Sequence, residues 1–137
     1  MVNGEFGGWR FGVVIAIFTI MRENILAVKS EEFALRIIEI YRYLQDSRRE
    51  FIMSKQLLRS GTSIGANIAE SVYAQSRPDF VTKLSIALKE ANETKYWLSL
   101  LKRSEYLTQE NVFSLECDCT VLIRMLTSSI KTTRKSI

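Results

Sequence analysis

From Ser30 onward apolar residues return at helical spacing, and four segments can be drawn. In the first, over about 30–47, Phe33, Ile37, Tyr41 and Leu44 recur at intervals of four, four and three, the period of one helix face. Ser30 is placed to cap it, with Glu31 and Glu32 in the positive first turn. The second, over about 50–74, lines up Leu57, Gly61, Ile64, Ile68 and Val72, while Gly61, Gly65 and Ala69 repeat every four residues, a row that lets a neighbouring helix come close. Ser76 with Asp79 three residues on, and Pro78 between them, opens a third helix over about 77–103 through a capping box in which Asp replaces the usual Glu. Its inward row is Phe80, Leu84, Ala87, Ala91, Leu98 and Leu101. Thr108 caps a fourth helix over about 109–135, with Leu107 and Val112 placed as a hydrophobic staple and Val112, Leu115, Cys119, Leu122, Leu126 and Ile130 facing inward.

There is no sustained alternation and no Asn-Gly or Asp-Gly hairpin signal. Helices of roughly 25 residues, about 37 Å long, joined by connections of a few residues, pack as antiparallel neighbours. The expected fold is all-α, an up-down-up-down antiparallel four-helix bundle over 21–137.

Residues 1–20 read differently, with Gly4, Gly7 and Gly8 ahead of an apolar run from Phe11 to Ile20 broken only by Gly12 and Thr19. About 20 apolar residues are needed to span a bilayer, so by itself the run is too short. Glu5 sits where a secretion signal would be basic, and no small-residue cleavage site follows. The expectation is an N-terminal extension, disordered or a non-native start, with Met21 as the physiological first residue. The mass of the protein made from its own promoter decides this; a mass including Met1 overturns it.

Composition then narrows the chemistry. The 137 residues suit one domain. With no His, Ser-His-Asp and Cys-His nucleophiles, His-ligated zinc and the Glu-x-x-His pairs of di-iron bundles are excluded, and no cofactor is expected. Cys117 and Cys119 are too few for a disulfide scaffold, which fits a reducing cytoplasm; Cys117 should face outward and Cys119 inward. The balance of 19 Lys and Arg against 15 Asp and Glu permits a polyanionic partner without demanding one.

The outer faces carry more information. On helix two they present Arg59, Ser63, Ala66, Glu70 and Tyr73, with Asn67 at the boundary; on helix three, Ile86, Tyr96, Trp97 and Leu100 form a second apolar stripe. A helix apolar on two sides is usually buried on two sides. The candidate self-association surface is therefore Arg59, Ser63, Ala66, Asn67, Glu70, Ile86, Glu93, Trp97 and Leu100. Antiparallel registry around residues 75 and 76 sets Arg59 level with about position 92, which predicts an Arg59–Glu93 pair, with Glu90 within a turn. The same topology gathers Arg48, Arg49, Lys55, Lys102 and Arg103 at one end, and Lys131, Arg134 and Lys135 at the other, as candidate nucleic-acid-binding residues. Cations near helix C-termini also complement the helix dipole, so this reading competes with a purely structural one.

The stretch QLLRSGTSIGANIAESVYAQSRPDFVTKLSIALKEANETKYWL, from Gln56 to Leu98, resembles the bacterial four-helix bundle family of 23S ribosomal RNA intervening-sequence proteins. The matching elements are Gln56, Arg59-Ser60, Ser63-Ile64, Asn67-Ile68-Ala69-Glu70, Asp79-Phe80 and the region of Glu93, with a weaker match from Phe33 (FALRIIEIYRYL) to the end of helix four. Residues 1–20 have no counterpart. The resemblance implies a small non-enzymatic bundle whose relatives form ring-like pentamers and whose name records a genomic location. More distantly it implies kinship with the accessory protein of diversity-generating retroelements, which binds nucleic acid through a basic surface.

Two functions are set against each other. One is a homo-oligomeric, pentameric bundle that binds structured RNA or DNA electrostatically, as an adaptor; the other is a structural or protein-interaction module with no nucleic-acid role. No membrane partner is expected, since Arg59, Asn67 and Glu70 exclude reading Gly61-x-x-x-Gly65 as a membrane dimer motif. Catalysis is not expected either: Glu70, Glu90 and Glu93 have no nucleophile or metal ligand beside them.

Overall fold

The computed structural model describes residues 2–135, with side chains from residue 10 on. Met1, the side chain of Glu5 invoked above, and residues 136–137 of the expected bundle lie outside the described part. Four helices follow one another, α1 (Val2–Asp46), α2 (Met53–Ser71), α3 (Arg77–Arg103) and α4 (Gln109–Lys135). Each packs on its sequence neighbour, α4 returns to α1, and all four share one hydrophobic core. This is the expected four-helix bundle, and its thinnest seam is the closing one, between α1 and α4.

The inward rows are close to those read from the period. Phe33, Ile37 and Leu44 on α1, Leu57, Ile64 and Ile68 on α2, Leu84, Ala87, Ala91, Leu98 and Leu101 on α3, and all six staple-to-end positions of α4 are buried. Tyr41 and Phe80 are only half-buried. Val72 is 71% exposed because α2 stops at Ser71, three residues short of the expected end, and the chain turns away there. Val81 and Thr94 join the core instead, each one helical step from a predicted position.

The first helix departs most from expectation. It begins at Val2, not Ser30, since nothing between 10 and 30 breaks a helix: there is no Pro, and adding residues to a formed helix is easy where nucleating one is not. Ser30 is accordingly no cap. It is buried in mid-helix, donates to the Ala27 carbonyl at 3.0 Å, and lies against Gly65. The described residues 10–20 are helical and exposed rather than disordered. Because the helix is continuous, an 18-residue window within Arg10–Asp46 reaches a mean hydropathy of 1.8 and is long and apolar enough to cross a membrane by length and composition, tests that a signal sequence also meets. The apolar stretch is thus longer than the run 11–20 taken alone.

The caps explain the remaining boundaries. Helix α2 starts at Met53, not Glu50, because the Glu50 carboxylate accepts from the backbone N–H groups of Ile52, Met53 and Ser54 at 3.1, 2.9 and 2.7 Å, outside the helix it caps. Ser76 Oγ accepts from Asp79 N at 3.2 Å and Asp79 Oδ2 accepts from Gln75 N at 3.1 Å, the expected reciprocal arrangement displaced by one residue. At α4, Thr108 Oγ1 accepts from Asn111 N at 3.1 Å while Asn111 Oδ1 accepts from Thr108 N at 3.0 Å, so Asn111 completes the box. Arg49 and Glu105, with φ of 54° and 68°, take the left-handed conformation that ends α1 and α3.

Candidate nucleic-acid and oligomer interfaces

Packing of α2 on α3 sets up the outer surface. Buried Ser60 and Thr94 face each other with hydroxyls 3.0 Å apart, and that register carries Arg59 and Glu93, one residue away on each helix, to the solvent side. Arg59 reaches both carboxylates: Nη1 donates to Glu90 at 3.1 Å and Nη2 to Glu93, which also accepts from Trp97 Nε1 at 3.2 Å. The guanidinium and the indole hold the Glu93 carboxyl below the usual carboxylate range, and Glu93 in turn raises Arg59. The predicted Arg59–Glu93 pair is therefore present within one chain.

The rest of that surface is small or apolar. Ser63 donates to the Arg59 carbonyl at 2.6 Å and Asn67 to the Ser63 carbonyl at 2.9 Å, so both side chains fold back on α2. Ala66 is exposed, and Glu70 pairs with Lys83 at 2.9 Å. Ile86 is 37% exposed, Tyr96 57% and Tyr73 85%, while Trp97 and Leu100 are half-buried. Exposed apolar side chains are not confined to this face, because Leu35 on α1 and Phe113 on α4 also point outward.

The predicted basic end assembles only in part. Arg48 Nη2 donates to the Glu105 carbonyl at 3.2 Å and its guanidinium sits 5.5 Å from the Tyr106 ring centroid, so it ties the α1–α2 loop to the α3–α4 loop. Arg49 lies 5.3 Å from the Phe51 ring. Lys102 is paired with Glu116 at 3.1 Å, a partner that could have been sought fourteen residues on, across the hairpin. Lys55 and Arg103 are exposed. At the opposite end Lys131, Arg134 and Lys135 are all exposed on the last turns of α4.

Three features escaped sequence reasoning. Glu50 is one, since a capping side chain two residues before the cap has no fixed signature. Arg36 is another: it crosses the thin α1–α4 seam to Asp118 and Ser114, beside a cleft of about 90 Å³ lined by Lys29, Glu32 and Phe33. Arg124 is the third, on the exposed face of α4 between the two predicted basic ends. Cys117 is exposed and Cys119 buried as expected; burial pushes the Cys119 thiol up to about 12, which keeps it protonated and inert.

Among the described residues no cluster of three or more His, Cys, Asp or Glu could hold a metal; Glu70, Glu90 and Glu93 are paired with cations and Asp79 caps α3. Fold and surface together define a small all-α four-helix bundle. Within that class the chain belongs to the 23S rRNA-intervening sequence protein family, which matches residues 22–128. It is similar to a solved protein of unknown function from the S23 ribosomal protein family of Bacteroides thetaiotaomicron VPI-5482, at 56% identity and a TM-score of 0.79, over 80% of this chain and 98% of that one. No curated protein matches it.

Proposed function

We propose that the protein is a non-enzymatic, homo-oligomeric bundle, pentameric as the family resemblance implies, that binds nucleic acid in the cytoplasm as an adaptor. The observation that carries this reading is a second apolar stripe on α3 beside a paired charge cluster, together with a separate row of exposed cations on α4. The α2–α3 face offers Ile86, Tyr96 and Trp97 around an Arg59–Glu90–Glu93 cluster in which each carboxylate is paired with the guanidinium, which suits a contact between copies better than unpaired charge would. Among the described residues, cations in no ion pair include Arg49 in the α1–α2 loop, Lys55 on α2, Lys89, Lys95 and Arg103 on α3 and a row of Arg124, Lys131, Arg134 and Lys135 on α4, and a ring would repeat that row, where each phosphate contact adds.

The test is purification of the native protein, sequencing of any nucleic acid that accompanies it, and a gel shift with RNA and DNA at low salt. A shift that disappears by 0.5 M salt with weak sequence preference is expected. Absence of a shift at low salt would leave the protein-interaction reading in its place.

A further inference from the structure

Along α4, Asp118 is the last acidic residue, and Arg124, Lys131, Arg134 and Lys135 follow it. Two hollows share Arg124. One, of about 530 Å³ between α3 and α4, has Phe113, Cys117 and Val121 for its apolar part, with Lys95, Lys102 and Arg124 around it; its one acid, Glu116, is paired with Lys102. The other, of about 450 Å³, continues along α4 past Thr127 and Ser128 to Lys131 and Lys135. Among the described residues none of Lys95, Arg124, Lys131 and Lys135 is in an ion pair. Arg124 to Lys135 spans about 16 Å at 1.5 Å per residue. Phe113, 60% exposed, stands at the other end of the same track.

A row of cations alone suits any polyanion. An exposed aromatic ring bordered by that row suits one whose bases are free to stack, because duplex bases are already stacked on each other and cannot lie on a ring at a helix surface. Resting on the nucleic-acid reading above, we propose that the α3–α4 face is a binding track for single-stranded nucleic acid, with a base on Phe113 and successive phosphates on Lys95, Arg124, Lys131 and Lys135. The track runs along the side of the bundle rather than over its two ends, and it leaves the α2–α3 face free for self-association.

The experiment is fluorescence anisotropy of the full chain with a labelled mixed-sequence single strand, the same sequence as a duplex, and anionic phospholipid vesicles as competitor. The single strand should bind more tightly than the duplex and resist the vesicles, with a log–log salt slope of roughly −3 for four phosphate contacts, or a loss of roughly 50-fold between 50 and 200 mM salt. Phe113→Ala should weaken the single strand by about 5-fold or more, the lower bound for one stacked base. Arg124→Gln with Lys131→Gln should bring the slope to about −1.4, whereas Arg49→Gln with Lys55→Gln at the far end should change little; circular dichroism confirms that each variant is folded. Equal affinity for duplex, an inert Phe113→Ala, displacement by vesicles, or affinity carried by Arg49 and Lys55 would overturn the track while leaving nucleic-acid binding intact. Failure of the unmodified protein to bind either nucleic acid overturns both readings.

Discussion

At the scale of single residues, stability rests on a few contacts whose cost of removal can be ranked. Gly61 is packed so closely that an added Cβ would lie 2.8 Å from Ile37 Cγ2, whereas at Gly65 the nearest atom is the Ser30 carbonyl oxygen at 3.4 Å. Alanine favours a helix interior by about 1 kcal/mol over glycine, and overpacking costs about 1–3 kcal/mol. Gly61→Ala should therefore be net destabilising by about 1 kcal/mol and Gly65→Ala neutral or slightly stabilising, as read by urea denaturation. Equal effects would mean that α1 and α2 are not held at this separation. Glu50 loses some carboxylate stability to burial, but the N–H groups of Met53, Ser54 and Ile52 and the Ser54 hydroxyl outweigh that and lower its pKa. Glu50→Ala should cost ~1–2 kcal/mol, the range for loss of an N-terminal cap, with α2 as the element that loosens first in hydrogen exchange. Glu93 gives a pH signature. Its carboxyl is lowered in the folded chain by Arg59 first and Trp97 second, so its contribution is full above the unfolded carboxylate range and is lost as pH falls through the folded value. For a half-exposed pair that amounts to a few tenths to about 1 kcal/mol. The stability gap between the unmodified chain and Glu93→Gln should accordingly be largest near neutral pH and close as pH falls below the ordinary carboxylate range near about 4.3; a gap independent of pH would remove the ion pair as its cause.

At the scale of elements, what was legible in the sequence tracks how local the determining physics is. Helices α3 and α4 begin and end where their caps are written, at Ser76 with Asp79 and at Thr108 with Asn111, and their inward rows follow a clean period. The Arg59–Glu93 pair was legible because a short hairpin fixes antiparallel registry. Helix α2 was misjudged at both ends, because Glu50 caps from outside the helix and Val72 has the right spacing but no helix left beneath it. The start of α1 was misjudged more deeply: Ser30 is a good capping residue, and only the third dimension shows that its slot is opposite Gly65. The basic ends were legible as composition but not as free charge, since the partners of Arg48 and Lys102 come from another loop and another helix. Before Leu26 no described residue is buried, so the described residues 10–20 contribute no core. A chain starting at Met21 should melt within about 2 °C of the full one, less than a loss of 1 kcal/mol produces in a domain of this size; a larger drop would show that the N-terminal part of α1 packs against something in solution.

At the scale of the whole molecule, a net charge of +4 on 137 residues is too small by itself to imply a polyanionic partner. The proposed function therefore depends on copies brought together, with the ion-paired α2–α3 face turned inward and the α4 cations repeated outside. Burying Ile86, Tyr96 and Trp97 at a subunit contact also accounts for a stripe that a monomer would leave wet. The most direct measurement is the mass in solution by light scattering at micromolar concentration, for the unmodified chain and for Ile86→Glu. A particle of five times the 15.8 kDa protomer, reduced to smaller species by Ile86→Glu, is the expected result; a unmodified chain that stays at 15.8 kDa would contradict it.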